Sequence, residues 1–478
     1  RFLDSFTYLP ELFSSSSTAG AHFVDSFYRP LQGLCYLIIN QIFGKEPWAF
    51  HALNVVLHFI NAVLVWRLGL ALKLQNKTAL IAALLWALHP LHVEGVTYMS
   101  ATADPLHVMF LLFASLAALP DFSAKRIALS AFFFICGLLS KESSVVFPAL
   151  LITLIFMVSP NRRDWRVYLR SIPHWLIAFA YLGLRQTILN FNQDFSMYKQ
   201  ANAYTESILN RISTFFATLP SYATLLVWPD QLSIDRYFPM YDKFTSPLVI
   251  TGAVIFALCL FLALRPWFGS QEKGVWAAWV ALWFGCAHFP HTGVLIPVNS
   301  FFLEHWMYLP SISIFLGLAR AGEALCEKKQ ALAIPLVVTA GICALALGTR
   351  TYLQNRIWES PIPLFSHILE MNPTADRVRH NLAMAYSAEG SDDKALETYQ
   401  KILGSGRSSY PQTYHNMARI FAGKKKLKKA EELYLEALKL DPRFHPSYAD
   451  LAAVYTAMGE KQKSEEMLKK YRDLVPSP

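Results

Sequence analysis

Apolar runs of bilayer-crossing length alternate with short loops along most of this chain, which restricts that part to a bundle of membrane helices. The runs are Trp48–Leu72, Leu80–Tyr98, Pro105–Ala118, Ile127–Leu139, Val145–Val158, Ile172–Ile188, Leu248–Leu264, Val275–Phe289, Tyr308–Ala319 and Ala331–Leu347. Several are short for a full crossing, so their ends are placed only to within a few residues. Composition agrees: 54% of the 478 residues are hydrophobic and 16% charged, and the mean hydropathy of +0.30 is too high for an ordinary soluble domain. Basic loops carrying Lys73 and Lys77, then Lys125 and Arg126, then Arg162, Arg163, Arg166 and Arg170 alternate with loops nearly free of Lys and Arg. The positive-inside rule puts the basic set in the cytoplasm and Met99–Asp104 on the outer side. The net charge of +9 is thus spread over loops, and no single basic patch points to nucleic acid. Six cysteines fall in apolar segments without CxxC spacing, so they read as small buried hydrophobes rather than a disulfide framework or zinc site.

Between two of these runs lies HPLHVEGVTYMSATAD, His89 to Asp104. It brings His89, His92, Glu94 and Asp104 to membrane depth, where ionisable groups cost several kcal/mol unless they face a polar cavity or a partner. Mutual satisfaction that merely holds two helices together is the competing explanation. A functional site is the leading one.

The flanks complete the layout. Residues 1–46 read as a first outer loop with an interfacial helix: a polar start with a loop tract at Ser14 to Ser17, then the short apolar stretch Leu31–Phe43 after Tyr28-Arg29-Pro30. The chain opens at Arg1 without an initiator methionine or an earlier apolar run, so an upstream part is expected. Residues 47–350 form the multi-span domain, with an outer loop at 189–246 that encloses an amphipathic piece, Ile208–Val227. If that piece crossed the bilayer, Arg320, Lys328 and Lys329 would lie outside, so it is placed at the surface and everything after Arg350 falls outside. Residues 351–372 are expected as a linker helix.

At 373–478 the composition turns polar and a repeat appears. Asn381-Leu382-Ala383, Asn416-Met417-Ala418 and Asp450-Leu451-Ala452 recur at about 34 residues, the tetratricopeptide period. Tyr386, Phe421 and Tyr455 fall in phase, as do Ala395, Ala430 and Ser464, and Tyr399, Tyr434 and Leu468, with Pro442 and Pro476 at the closing turns. Lys425 stands where the other repeats carry Gly390 and Gly459, which weakens one turn. Three repeats suffice for a stable stack. The fold class is therefore all-α, a polytopic helical membrane domain followed by a tetratricopeptide-repeat solenoid that either binds protein or caps the membrane part.

The order of Tyr28-Arg29-Pro30, His89-Pro90 to Asp104, Lys141-Glu142, Trp228-Pro229-x-x-Leu232-Ser233 and Glu304-His305-Trp306-Met307-Tyr308-Leu309-Pro310, with repeats behind them, resembles the transmembrane and tetratricopeptide-repeat glycosyltransferases. That family includes O-mannosyltransferases acting on cadherins and many bacterial relatives. The resemblance implies a GT-C fold, catalytic carboxylates at the outer face, a polyprenyl-phosphate sugar as donor, membrane lipid around the chain, and an acceptor protein that the repeats could engage. It also implies an acidic pair early in the first outer loop. Asp4 is followed by Ser5 and does not fit that pair, so the pair and one further helix are expected upstream of Arg1.

Transfer of a sugar from a lipid phosphate to a hydroxyl needs a base for the acceptor proton and cations or donors for the leaving phosphate. Asp104 and Glu94 are the catalytic candidates. Asp104 acts as a base or orients one, and Glu94 positions His89, His92 or Arg29. Arg29, His89, His92, Arg185, Glu304 and His305 are the candidates for the donor phosphate. For Arg29 an interfacial anchor is an equal alternative, and for Glu304 and His305 a plain turn entering a helix. HPLHVE lacks the i, i+4 histidine pair of the zincins, so no metal ligand set is assigned.

Three function classes compete: a membrane glycosyltransferase, with mannose the sugar the resemblance suggests, that modifies a protein hydroxyl outside; a non-enzymatic membrane-anchored scaffold for protein–protein interaction; and a transporter. The sequon Asn76-Lys77-Thr78 lies in an expected cytoplasmic loop and does not favour the endoplasmic reticulum. The short repeat array and lean loops favour a bacterial inner membrane with periplasmic repeats, the alternative being the endoplasmic reticulum with luminal repeats.

Overall fold

A computed structural model describes residues 4–16, 27–119, 121–187, 202–268, 274–298, 300–406 and 410–475. Ser17, residues 188–201 of the expected outer loop, Asn299 and Pro476 lie outside the described residues. Those described form helices and turns, with no strand among them. They divide into two compact units, Arg1–Ile234 with Phe238–Arg356, and Asp235–Tyr237 with Ile357–Pro478.

The first unit begins with α1 (Leu9–Ser14) and α2 (Pro30–Phe43). Pro30 occupies the first helical position of α2, where its missing N–H costs nothing. The Leu31 amide donates to the Leu139 carbonyl at 3.1 Å, which ties this helix to the bundle. α3 (Pro47–Ala71) is a 25-residue apolar helix. α4 (Asn76–Ala87) stops where Pro90 pushes His89 into extended backbone, φ −74° and ψ 127°. The expected span Leu80–Tyr98 is therefore not one crossing helix. A short 3-10 turn at Pro90–His92, α5 (Val93–Thr97) and another 3-10 turn at Met99–Thr102 lead into α6 (Ala103–Ala118), and the two limbs at the break bend by 55°.

Among the described residues four segments are long and apolar enough to cross a bilayer, Pro47–Ala71, Met99–Ala118, Pro247–Pro266 and Gln330–Ile357, and five if the bent pair is one span. The other expected crossings are α7 (Ala124–Leu138), α8 (Phe147–Val158), α9 (Ile172–Thr187), α13 (Val275–His288) and α14 (Ser311–Lys328), helices of 12 to 18 residues. At about 1.5 Å per residue they fall short of a hydrocarbon core about 30 Å thick. After α10 (Ala203–Glu206), α11 (Ile208–Val227) packs along α12 (Pro247–Phe268) at very close range. A Cβ placed on Gly252 would lie 1.8 Å from the Phe216 carbonyl oxygen, so only glycine permits this approach. Trp86, Trp279, Trp283, Phe134 and Phe147 are fully buried in the largest apolar core of the unit. α15 (Ala333–Ile357) runs through the boundary expected at 351. Ser360 is extended and Pro361 starts α16 (Pro361–Met371), so the expected linker helix 351–372 is two helices with a break between them.

The second unit continues from α16 into three helical pairs: α17 (Asp376–Ala388) with α18 (Asp392–Gly404), α19 (Pro411–Gly423) with α20 (Leu427–Leu440), and α21 (His445–Met458) with α22 (Lys461–Leu474). Ala383, Ala418 and Ala452 are buried at equivalent positions, as are Tyr399 and Tyr434. Small residues there let paired helices approach, and the aromatics fill the space between. In the third pair Leu468 is exposed and Met467 takes the buried position. The turn inside each pair needs a left-handed residue, supplied by Gly390 (φ 76°), Lys425 (φ 59°) and Gly459 (φ 83°). Successive repeats are also pinned side by side: His380 Nδ1 meets Thr413 Oγ1 at 3.1 Å, and His415 Nδ1 meets Ser447 Oγ at 3.0 Å.

Candidate functional site

Polar residues on α3 fix the start of α6. Asn61 Nδ2 donates to the Pro105 carbonyl at 2.8 Å, and Thr102 Oγ1 donates to Asn54 Oδ1 at 2.5 Å. This places Asp104 in the first turn of α6, buried, with Oδ1 2.5 Å from Lys141 Nζ. Lys141 is itself buried, so the pair is desolvated and each charge depends on the other. The next residue, Glu142, takes a bidentate grip from Arg29: Nε to Oε2 at 3.0 Å and Nη2 to Oε1 at 2.6 Å.

Glu94, on α5, is buried and holds His305 at two points. Its Oε1 accepts from the ring Nδ1 at 2.7 Å and its Oε2 from the backbone amide at 3.0 Å. The neighbouring Glu304 has a different job. Its Oε1 accepts from the Ser233 amide at 2.7 Å, which joins two of the motif stretches quoted above. Asp104, His107, His291, His305 and Tyr308 all line one cavity of about 10 Å³, room for about one water molecule. Burial first, and the Lys141 cation next, hold His291 well below the ordinary histidine value, so it stays neutral.

The sequence candidates separate accordingly. Asp104 and His305 meet at the cavity, with Glu94 behind His305 and Arg29 in the adjoining ion pair. His89, His92, Arg185 and Glu304 do not line it. His89 Nε2 contacts the Leu226 carbonyl at 3.1 Å. The His92 ring packs between Trp86 and Tyr308, at centroid distances of 4.8 and 5.0 Å. Arg185 lies in the last turn of α9 beside Tyr181. Sequence reasoning passed over His107, His291, Tyr308 and His58, whose Nδ1 meets Tyr308 Oη at 2.7 Å. Polar rings at the ends of apolar runs, such as His288-Phe289-Pro290-His291, were the signal available. Among the described residues no group of three or more His, Cys, Asp or Glu side chains is arranged to hold a metal.

Residues 30–185 match the family described as dolichyl-phosphate-mannose-protein mannosyltransferase, and residues 376–405 and 411–444 match the tetratricopeptide repeat. The chain is thus similar to protein O-mannosyltransferases over its membrane part and to tetratricopeptide repeats behind it. Its similarity to protein O-mannosyl-transferase TMTC3 of Homo sapiens is 25% identity over 456 residues, 88% of this chain and 49% of the relative. With protein O-mannosyl-transferase Tmtc3 of Drosophila melanogaster it shares 23% over 497 residues, 88% and 52%. With protein O-mannosyl-transferase F38B6.6 of Caenorhabditis elegans it shares 22% over 406 residues, 81% and 55%. The chain spans about half the length of the curated relatives it matches. The apolar helices and the likeness to these relatives fit an integral membrane protein.

Proposed function

We propose that the chain is a membrane glycosyltransferase moving a sugar, mannose by analogy with its relatives, from a polyprenyl phosphate to a protein hydroxyl at the outer membrane face. The observation that carries this reading is that Asp104, ion-paired with the buried Lys141, lines one small cavity together with His305. In the transfer the anomeric carbon bonds to the acceptor oxygen while its bond to the phosphate oxygen breaks, and the electron pair leaves on the phosphate. Lys141, buried against Asp104, is the cation assigned to answer this developing charge. Asp104 holds Lys141 in place, and Arg29 and Glu142 brace the same turn.

A lipid donor also needs somewhere for its tail. An apolar groove of about 1330 Å³ lies between α4, α14 and α15, with His89 in its wall and Arg350 at one end. Its lining suits an isoprenoid chain at membrane depth. The repeats engage the acceptor protein or partners of the enzyme. A luminal, endoplasmic-reticulum setting is the alternative the animal relatives support. A scaffold that works through its repeats alone gives no reason for the buried charges of the cavity.

The test is turnover by the full-length protein in lipid nanodiscs. Polyprenyl-phosphate mannose is supplied with a panel of serine- and threonine-bearing cell-surface domains, and free polyprenyl phosphate is measured. Release that depends on the acceptor supports the assignment. No release with any acceptor, alongside retained partner capture by the repeats, establishes the scaffold instead.

A further inference from the structure

Basic segments far apart in sequence meet at one end of the first unit. Arg170, in the 3-10 turn Trp165–Ser171 between α8 and α9, lies over the Phe122 ring at 5.7 Å, close to where Lys125 and Arg126 open α7. Arg163 Nη2 donates to the Pro266 carbonyl at 3.3 Å, next to the exposed Arg265 in the last turn of α12. Carboxylates do little to cancel this charge. Asp121 is taken by Arg126 at 3.4 Å, and Asp164 accepts from the Arg166 amide at 3.0 Å as the cap of the turn. Among the described residues Arg166 and Arg170 have no carboxylate partner, and both are exposed. Arg320, expected on the same side of the membrane, differs: Glu327 holds it at 2.8 Å and Glu323 at 3.5 Å.

The turn that carries these arginines also presents apolar surface. Its inner side is anchored, with Ser171 buried, Val167 and Tyr168 half-buried, and Tyr168 Oη donating to the Arg162 carbonyl at 2.7 Å. Trp165 stays 65% exposed and Leu169 44%, and Ile172, Leu176 and Phe179 carry an exposed apolar row on into α9. Bare indole and leucine among unpaired arginines suit neither bulk water nor the hydrocarbon core, but they suit the boundary between them, where tryptophan sits at headgroup level. We infer that this end of the bundle is a binding site for an anionic phospholipid, with Trp165 and Leu169 seated in the headgroup boundary and Arg163, Arg166 and Arg170 on the headgroup phosphate. A planar guanidinium presents paired donors that match phosphate oxygens, which lysine cannot do. The positive-inside rule sets these loops on the cytoplasmic side, where the leaflet itself is anionic, so the charge and its location agree. No residue of the Asp104 cavity takes part, and the inference is independent of the transferase reading.

The experiment titrates the detergent-solubilised full-length protein with phosphatidylglycerol or phosphatidylcholine and counts the lipids retained in native mass spectrometry. The unsubstituted protein is compared with R166Q/R170Q, with W165A and with K428Q/K429Q, which removes two exposed cations from α20 as a control. Phosphatidylglycerol is expected to be retained over phosphatidylcholine, with a preference that shrinks as salt screens the arginines. Arg166→Gln with Arg170→Gln should weaken phosphatidylglycerol binding about 10- to 30-fold, leave phosphatidylcholine unchanged and distinguish this pair from the control. Trp165→Ala should weaken both lipids while the preference between them persists. Equal retention of the two lipids by the unsubstituted protein overturns the inference, as does a preference that survives R166Q/R170Q. Displacement of phosphatidylglycerol by an equal concentration of inorganic phosphate would mark a site for a free anion and overturn the lipid assignment.

Discussion

Lys141 and Glu142 are neighbours in the chain that turn to different partners: Lys141 Nζ reaches Asp104 Oδ1 at 2.5 Å, while Glu142 Oε1 receives Arg29 Nη2 at 2.6 Å. One tight turn therefore ties the start of α6 to the start of α2, and it does so with two salt bridges of opposite polarity. Lys141→Met leaves the buried Asp104 carboxylate without its counter-ion, which costs about 3–5 kcal/mol. The double variant K141M/D104N removes both charges and regains most of that loss. Thermal melts of the detergent-solubilised proteins read the difference. Equal melting temperatures for the single and double variants would show that the pair is not the buried unit described.

Contact between α11 and α12 depends on one missing methyl group. Gly252→Ala puts a Cβ where the Phe216 carbonyl oxygen already sits, and neither backbone can yield without separating the helices. The expected result is a steep fall in the yield of monodisperse protein, with Gly285→Ala, where a Cβ meets nothing within 4 Å, as the tolerated control. Unchanged yield for G252A would mean that the two helices pack less closely than this.

In the repeats, Lys425 holds a left-handed backbone at φ 59°, a conformation its counterparts Gly390 and Gly459 adopt without a side chain. Lys425→Gly relieves a strain of about 1–2 kcal/mol, and should slow amide exchange across α19 and α20. Gly459→Ala should speed exchange across α21 and α22 by a comparable free energy. A destabilised K425G would show that the lysine side chain contributes more than its backbone costs.

The inter-repeat histidines predict a pH response. Burial lowers His380, and it lowers His415 with an added downward push from Arg419, opposed by Asp450. A histidine lowered in the folded state binds protons more readily once unfolded, so its stabilising contribution is complete above the ordinary value of about 6.5 and is lost as pH falls below it. Amide protection in residues 410–475, relative to the intrinsic exchange rate at each pH, should fall between about pH 6.5 and 5, and His415→Gln should flatten that dependence. Protection insensitive to pH in this window would show that the Thr413 and Ser447 contacts do not need the neutral rings.

Periodicity made the repeats legible because small and aromatic residues recur at fixed offsets and are buried at equivalent positions, the shift from Leu468 to Met467 in the last helix apart. The apolar runs were legible as helices for a similar reason. Their lengths were not, since hydropathy does not register a break such as the one His89-Pro90 introduces, nor the way α14 runs on past Ala319 through Arg320, Glu323 and Glu327 to Lys328. At the site, Asp104 and His305 stood out as ionisable groups beside apolar runs. Which partner each would choose depended on contacts across 37 residues for Asp104 with Lys141 and 211 for Glu94 with His305, and spacing along one chain does not encode those distances. Glu304 and His305 are adjacent, yet one anchors the Ser233 loop and the other faces the cavity.

The measurement that bears most directly on the central claim is transfer of labelled mannose from polyprenyl-phosphate mannose to protein by membranes containing the full-length enzyme, run beside D104N at equal expression. The account predicts label on serine or threonine with the unsubstituted protein, and a loss of at least about 100-fold in D104N. Equal labelling by the two proteins would contradict the placement of the reaction at Asp104, and no labelling by either would contradict the glycosyltransferase itself.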